Sequence, residues 1–356
     1  MGRPEKKMEN VLCELVALPA IEPFATLVYE YVVKEVYAKN FRVGQTQKIQ
    51  AFFKEHGYVI IRDVIPHIQC AATRKEIQTS IQTKIKSEFN MYDTKTHDCP
   101  QTFNNYGMWS DPLFGLEMMR NRCNKKLARA FAVVYGCSEQ ELIINHDSGC
   151  FYRPTQPHHA DRATFSCFPD LHVDFHPGGY LEQKQIQAKR NQITYHHIRN
   201  WMLENNLLCR NDGLQLAGVI NLYPNRRQDG GFHCADKFMH NFDAWLSEQK
   251  DKFQKPEIGS YEFDKRDKTD MKYLTPCEFV RASAPAGALI IWNQLTAHGS
   301  QPNDSDRFRC GQFVKVFKKS SFTAQRLERR KKEILRLCPP LVSIFSDHRS
   351  FPALLF

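Results

Sequence analysis

His172-Val173-Asp174 sets an imidazole and a carboxylate two residues apart inside the alternating stretch Leu171–His176. Alternation of apolar and polar residues marks a half-buried strand, and residues two apart on a strand point to one face. His172 and Asp174 are therefore expected side by side, opposite Leu171, Val173 and Phe175. An imidazole and a carboxylate are two thirds of the facial triad that holds non-haem Fe(II) and leaves coordination positions open. The same pair also occurs as a plain hydrogen-bonded couple on a strand, and the spacing alone does not separate the two readings. Over a hundred residues on, the apolar stretch Ala288–Trp292 runs into a turn, then His298-Gly299-Ser300, then an alternating strand carrying Arg309. His298 would complete the triad. Three protein ligands leave three positions on iron, of which a chelating 2-oxo acid takes two and dioxygen one. The far carboxylate of 2-oxoglutarate needs a cation, and the planar fork of arginine bonds a carboxylate bidentately. Arg309 is the candidate, with the Ser300 hydroxyl as a second donor. A surface arginine and a serine capping its own turn are the competing readings.

The elements that must position these residues follow from pattern and punctuation. Residues 1–42 read as a helical leader broken at Pro19 and Pro23. Gln45–Glu55 reads as a helix, Gly57 as its stop and Tyr58-Val59-Ile60-Ile61 as a strand. Pro66 opens a helix expected to reach about Phe89, and residues 113–135 read as one amphipathic helix ending near Gly136. Glu141–Asn145 starts a strand. From about residue 145 the texture is strands and turns: Cys150–Arg153, Leu171–His176, Leu214–Leu222, Ala288–Trp292 and Phe308–Phe317. A helical insertion, 181–208, interrupts them. Lys318–Leu337 reads as a basic helix before a short apolar tail. A second His-x-Asp, His159-Ala160-Asp161, follows two prolines with no alternation around it and reads as a loop. His176 extends the polar face of the first motif. Tyr152 and Arg153 lie on the strand before it and face either the site or the core.

The chain has 356 residues, 42% of them hydrophobic, with 25 Phe, which supports a substantial core and argues against disorder. Its 12 cysteines include no Cys-x-x-Cys pair, so neither a zinc ribbon nor a thioredoxin-like motif is indicated. No apolar run approaches the roughly 18 residues of a membrane span. No secretory signal and no peroxisomal tripeptide of the Ser-Lys-Leu kind is seen, so an intracellular, reduced protein is expected, cytoplasmic or nuclear. Net charge is +10 with pI near 9.0, which permits but does not require a polyanionic partner. The basic runs 184–199 and 318–336 read as solvated helix faces or as a groove for nucleic acid. Tyr180, Tyr195 and Trp201 beside the first run would stack unpaired bases.

These segments together resemble the phytanoyl-CoA dioxygenase-like group of Fe(II)/2-oxoglutarate oxygenases, over roughly residues 45–317. The resemblance rests on the opening helix, glycine and strand Ala51–Ile60, on His172 and Asp174, and on Gly218–Leu222 followed by Asp229-Gly230-Gly231-Phe232. It also rests on Gly287–Trp292, on His298–Ser300, and on the basic residue Arg309 eleven positions after His298. It implies a mainly β fold with flanking helices, a double-stranded β-helix of the jelly-roll or cupin kind. Residues 1–44 would be a helical extension, 45–317 the oxygenase domain and 318–356 a basic helix and tail. It implies iron ligands His172, Asp174 and His298, with Arg309 and Ser300 on 2-oxoglutarate, and O2 as oxidant. The expected reaction is hydroxylation of a C–H bond in a small metabolite or lipid-like acid. The same chemistry on nucleic acid, or a non-catalytic polyanion-binding protein on the same fold, are the alternatives. The chain departs from the group's pattern at Ala235–His240, where a Pro-Gly turn is usual, and in the length of 181–208. The first departure borders the substrate mouth, so the substrate does not carry over.

Overall fold

The computed structural model describes residues 37–97, 108–109, 113–154, 171–192, 207–255, 259–341 and 350–356. Their strands are β1 (Phe41–Arg42), β2 (Tyr58–Arg62), β3 (Met108–Trp109), β4 (Leu142–Ile144), β5 (Gly149–Tyr152), β6 (His172–Val173) and β7 (Leu216–Asn221). Then come β8 (Gly231–Ala235), β9 (Tyr261–Glu262), β10 (Phe279–Arg281), β11 (Leu289–Asn293), β12 (His298–Gln301) and β13 (Arg309–Lys318). One sheet has the order β1-β2-β11-β7-β13-β5-β3, with β4 also paired to β13, and the other the order β10-β8-β12-β6-β9. Every pairing is antiparallel except β1 with β2. The chain passes back and forth from β5 to β8 and from β10 to β13, with β5, β7, β11 and β13 in the first sheet and β6, β8, β9, β10 and β12 in the second, where β8, β9 and β10 follow one another. Among the described residues no pairing closes the two sheets into a barrel. The architecture is a mixed helix–sheet one, with helices more extensive than the mainly β expectation.

The opening of the domain is as the sequence pattern requires. Thr46–His56 is helical, Gly57 caps it in the left-handed region at φ 77°, and β2 follows at once. That helix lies against Lys125–Tyr135, where the Gln50 side-chain amide donates to the Val133 carbonyl at 2.9 Å. The second helix packs on the sheet at Gly218, where a Cβ would stand 3.2 Å from the Phe131 ring. The core of these elements is continuous with the far end of the chain, since Ile334, Cys338, Leu354 and Leu355 are buried in the same cluster.

Several boundaries differ from expectation, each for a tertiary reason. Phe41–Arg42, assigned to the leader, is a strand because it pairs with Ile61–Arg62; residues 1–36 lie outside the described residues. The helix from His67 ends at Lys84 rather than Phe89, since Phe89 turns in to meet the Phe151 ring at 5.6 Å. The single helix expected over 113–135 is two, Leu116–Arg122 and Lys125–Tyr135. The Asn124 side chain accepts from the backbone N–H groups of Lys126 and Leu127 and so starts a new helix. The strand expected over Leu171–His176 is only His172–Val173, followed by a bend and the helix Pro177–Leu181. The alternation is nonetheless real in burial: Leu171, Val173 and Phe175 are buried, whereas His172 and Asp174 are partly open. The helix Gln183–Gln192 covers the start of the insertion, and 193–206 lies outside the described residues. Of the helix expected over Lys318–Leu337, β13 takes Lys318, Lys319–Ser321 forms a single 3-10 turn, and the α-helix runs over Ala324–Leu337, capped by the Thr323 side chain.

β9 holds the free edge of β6, with Val173 opposite Tyr261 and His172 opposite Glu262. Its anchor is Asp270, fully buried. Its carboxylate accepts from Trp245 Nε1 at 2.8 Å, Gln249 Nε2 at 2.6 Å, the Tyr261 hydroxyl at 2.8 Å and the Asp264 backbone N–H at 2.9 Å. Asp270→Ala orphans all four donors. Bonds to a charged acceptor contribute about 1.5–3 kcal/mol each and add only partly. We expect a loss of about 4 kcal/mol, read as a lower midpoint in urea unfolding.

Candidate metal centre

β6 and β12 are antiparallel neighbours with His172 directly opposite His298. That register, rather than any local sequence feature, brings two imidazoles separated by over a hundred residues to a ring distance of 4.5 Å. Asp174 follows in the bend after β6. Its Oδ1 lies 3.5 Å from His172 Nε2 and 3.7 Å from His298 Nε2. One ligand atom from each residue lies within 4.8 Å of the others, the spacing of a group able to hold a metal ion. Cis ligands on bonds of about 2.1 Å stand roughly 3 Å apart, so small side-chain rotations suffice. Nδ1 of His298 donates to the Thr296 carbonyl at 2.8 Å. A carbonyl only accepts, so this bond sets the tautomer and leaves the Nε2 lone pair facing Asp174. The His298 ring is held between Trp292, at 5.0 Å, and Phe232, at 5.8 Å. His172 is the open side of the site, its side chain 34% exposed.

The electrostatics favour the ligating protonation states. Burial would raise the Asp174 pKa. The Lys315 ammonium, then the neighbouring imidazoles, overcome it and hold the carboxyl well below its usual range. Burial, reinforced by the nearby His298, lowers the His172 pKa, against the opposing pull of Asp174. A neutral imidazole beside an ionised carboxylate is the state that binds a metal.

Arg309 opens β13 and is 1% exposed. Its guanidinium lies over the Tyr152 ring at 4.8 Å, Tyr152 being its partner across the sheet. None of its three side-chain nitrogens has a hydrogen-bond partner among the described residues. A buried cation without a carboxylate is costly, so this fork fits an anion that the described residues do not supply. Gly231 makes the room. It sits at φ 126°, and a Cβ there would stand 2.4 Å from Asn225 Oδ1 and 3.3 Å from Arg309 Nε. Asp229, fully buried between Arg226 and Arg307, fixes the preceding turn. Ser300 lies two residues after His298 on β12, hence on the same face, opposite Phe232. His298 and Ser300 are on a strand, so the competing reading of Ser300 as a residue capping its own turn does not hold.

The sequence reading missed Lys315, whose Nζ is 3.2 Å from Asp174 Oδ2. The signal was available: Lys315 lies six residues after Arg309 on an alternating strand, and an even spacing keeps both on one face. It also missed the aromatic walls Phe232 and Trp292. Arg153 is a buried structural residue donating to the His97 carbonyl. His176 precedes the helix Pro177–Leu181 and contacts Phe253 rather than the triad. The second His-x-Asp, His159 and Asp161, lies outside the described residues, as do Tyr195 and Trp201. In the C-terminal helix Arg330 and Ile334 are buried, and Arg330 Nε donates to the Leu355 carbonyl at 2.9 Å. Among the described residues no helix is long and apolar enough to cross a membrane.

Two histidines and a carboxylate able to hold a metal ion, with a buried arginine that has no hydrogen-bond partner among the described residues, are the groups that a mononuclear non-haem iron oxygenase using a 2-oxo acid would need. A Dictyostelium discoideum protein named as a phytanoyl-CoA dioxygenase is 33% identical over 292 residues, covering 80% of this chain and 78% of that protein. The chain belongs to the phytanoyl-CoA dioxygenase-like family of Fe(II)/2-oxoglutarate-dependent oxygenases. Similar solved structures include the non-haem carbocyclase SnoK of nogalamycin biosynthesis, at 12% identity and TM-score 0.47, covering 79% of this chain and 87% of that one. EctD from S. alaskensis, solved with 2-oxoglutarate and 5-hydroxyectoine, is 14% identical with TM-score 0.44, covering 81% of each chain. No family model matches the chain.

Proposed function

We propose that residues 45–317 form a double-stranded β-helix that hydroxylates a C–H bond of a small metabolite or lipid-like acid. His172, Asp174 and His298 would ligate Fe(II), and Arg309 with Ser300 would bind the far carboxylate of 2-oxoglutarate. The observation that carries this reading is the pairing of the triad with Arg309, a buried guanidinium whose nitrogens have no hydrogen-bond partner among the described residues. The alternation of the chain between the two sheets from β5 to β8 and from β10 to β13 supports the β-helix. The name of the Dictyostelium relative supports an acyl substrate.

The bound iron supplies the oxidising chemistry, in which R–H, O2 and 2-oxoglutarate become R–OH, succinate and CO2. The chain supplies placement. Thr296 fixes the tautomer of His298, Phe232 and Trp292 keep water from its ring, and Arg309 orients the co-substrate through a two-point contact. The partly open His172 marks the side from which the C–H bond would be presented. Anaerobic addition of Fe(II) and 2-oxoglutarate should produce the weak visible charge-transfer band of a chelated 2-oxo acid. Succinate release, screened over acyl and small-acid substrates, should then identify the substrate. A protein that binds Fe(II) and 2-oxoglutarate with no such band would refute the assignment.

A further inference from the structure

The two oxygens of Asp174 are not equivalent. Oδ1 faces both imidazole Nε2 atoms, at 3.5 and 3.7 Å, whereas Oδ2 faces the Lys315 ammonium at 3.2 Å. Lys315 is nearly buried, its side chain 10% exposed, and it projects from the strand that also carries Arg309. Its backbone is clamped on both sides: the Lys315 carbonyl accepts from the Asn145 N–H at 2.7 Å, and Ala217 pairs with it across β7. Such an ammonium is held in place and does not sample the surface.

A lysine beside a metal site is electrostatically unfavourable for the metal itself, because two like charges are brought close. Its presence therefore needs a different account. A carboxylate with both oxygens free can chelate a cation through both, taking two coordination positions. A 2-oxo acid and dioxygen together need three of the six positions, so a chelating aspartate would leave one too few. We infer that Lys315 is a positioning residue that occupies Asp174 Oδ2, so that only Oδ1 is offered to the metal and the positions for 2-oxoglutarate stay open. This rests on the proposed iron and 2-oxoglutarate reading. It adds to it a residue that neither binds the metal nor contacts the far carboxylate of the co-substrate.

The test separates metal binding from co-substrate binding. Co(II) is titrated into the metal-free protein and followed by its visible absorption, and 2-oxoglutarate is titrated into the anaerobic Fe(II) protein and followed by its charge-transfer band. Lys315→Met should bind Co(II) as tightly as the unsubstituted protein or more tightly, with a changed absorption spectrum. It should bind 2-oxoglutarate about tenfold or more weakly, the scale on which groups behind metal ligands act. Lys315→Arg, which keeps a cation on Oδ2, should restore most of the 2-oxoglutarate affinity. The inference is overturned if Lys315→Met binds both as the unsubstituted protein does. It is also overturned if metal and 2-oxoglutarate affinity fall together with the unfolding temperature of the metal-free protein, the pattern of a purely structural lysine. If the unsubstituted protein itself gives no band, the functional assignment fails instead, and the two failures are distinguishable.

Discussion

His298→Ala should reduce substrate-dependent succinate formation about a thousandfold, a loss of about 4 kcal/mol in transition-state stabilisation at 1.36 kcal/mol per decade. The reason is that His298 is the most rigidly held member of the triad. Its side chain is 5% exposed, its Nδ1 is committed to the Thr296 carbonyl, and its ring is fixed by Trp292 and Phe232. The residues flanking it in the chain, Ala297 and Gly299, carry no group that could take over its Nε2. The two remaining ligands, His172 and Asp174, lie on one short segment and would hold a metal without the geometry that directs its open positions. Metal content after gel filtration, measured alongside turnover, checks the cause. Retention of full metal occupancy and normal turnover in His298→Ala would show that the triad is not the iron site.

Arg309→Leu should raise the KM for 2-oxoglutarate about a hundredfold, with a smaller change in kcat at saturation. A bidentate, charge-assisted contact contributes about 3 kcal/mol, and 2.7 kcal/mol is two decades at 1.36 kcal/mol each. Arg309→Lys keeps the charge but not the fork, so an increase nearer tenfold is expected. The accompanying stability measurement discriminates further. Removing one partner of a buried ion pair costs about 3–5 kcal/mol. Arg309 has a stacked tyrosine and no hydrogen-bonded carboxylate among the described residues. Arg309→Leu should therefore leave the metal-free protein far more stable than that figure allows. A large loss of stability with an unchanged KM would assign Arg309 to the core.

Both predictions rest on residues that the sequence singled out, and the reason they were legible is local. Strand alternation put His172 beside Asp174 whatever lay around them, and the burial pattern keeps that alternation even though the strand itself shrinks to two residues. The helix–Gly57–strand opening was equally readable, since a helix stop by glycine is a property of its own few residues. What failed was whatever depended on neighbours far along the chain. Phe89 leaves its helix because Phe151 is there to receive it. The helix expected over 113–135 breaks at Asn124, whose capping bonds compete with continuation. The sequence pattern assigns β12 no element because four residues carry too little period to register, and only its pairing with β6 and β8 makes it a strand.

The sequence by itself determined the chemical inventory: two histidines, an aspartate, an arginine and a serine in segments whose alternation dictates which side chains share a face. Such facts follow from backbone geometry over a few residues and need no fold. Only the tertiary structure decided that His298 stands opposite His172, that Arg309 is buried without a hydrogen-bonded carboxylate among the described residues, and that the Lys315 ammonium stands at the second oxygen of Asp174. Register between strands over a hundred residues apart is set by the whole core, and no short window of sequence encodes it.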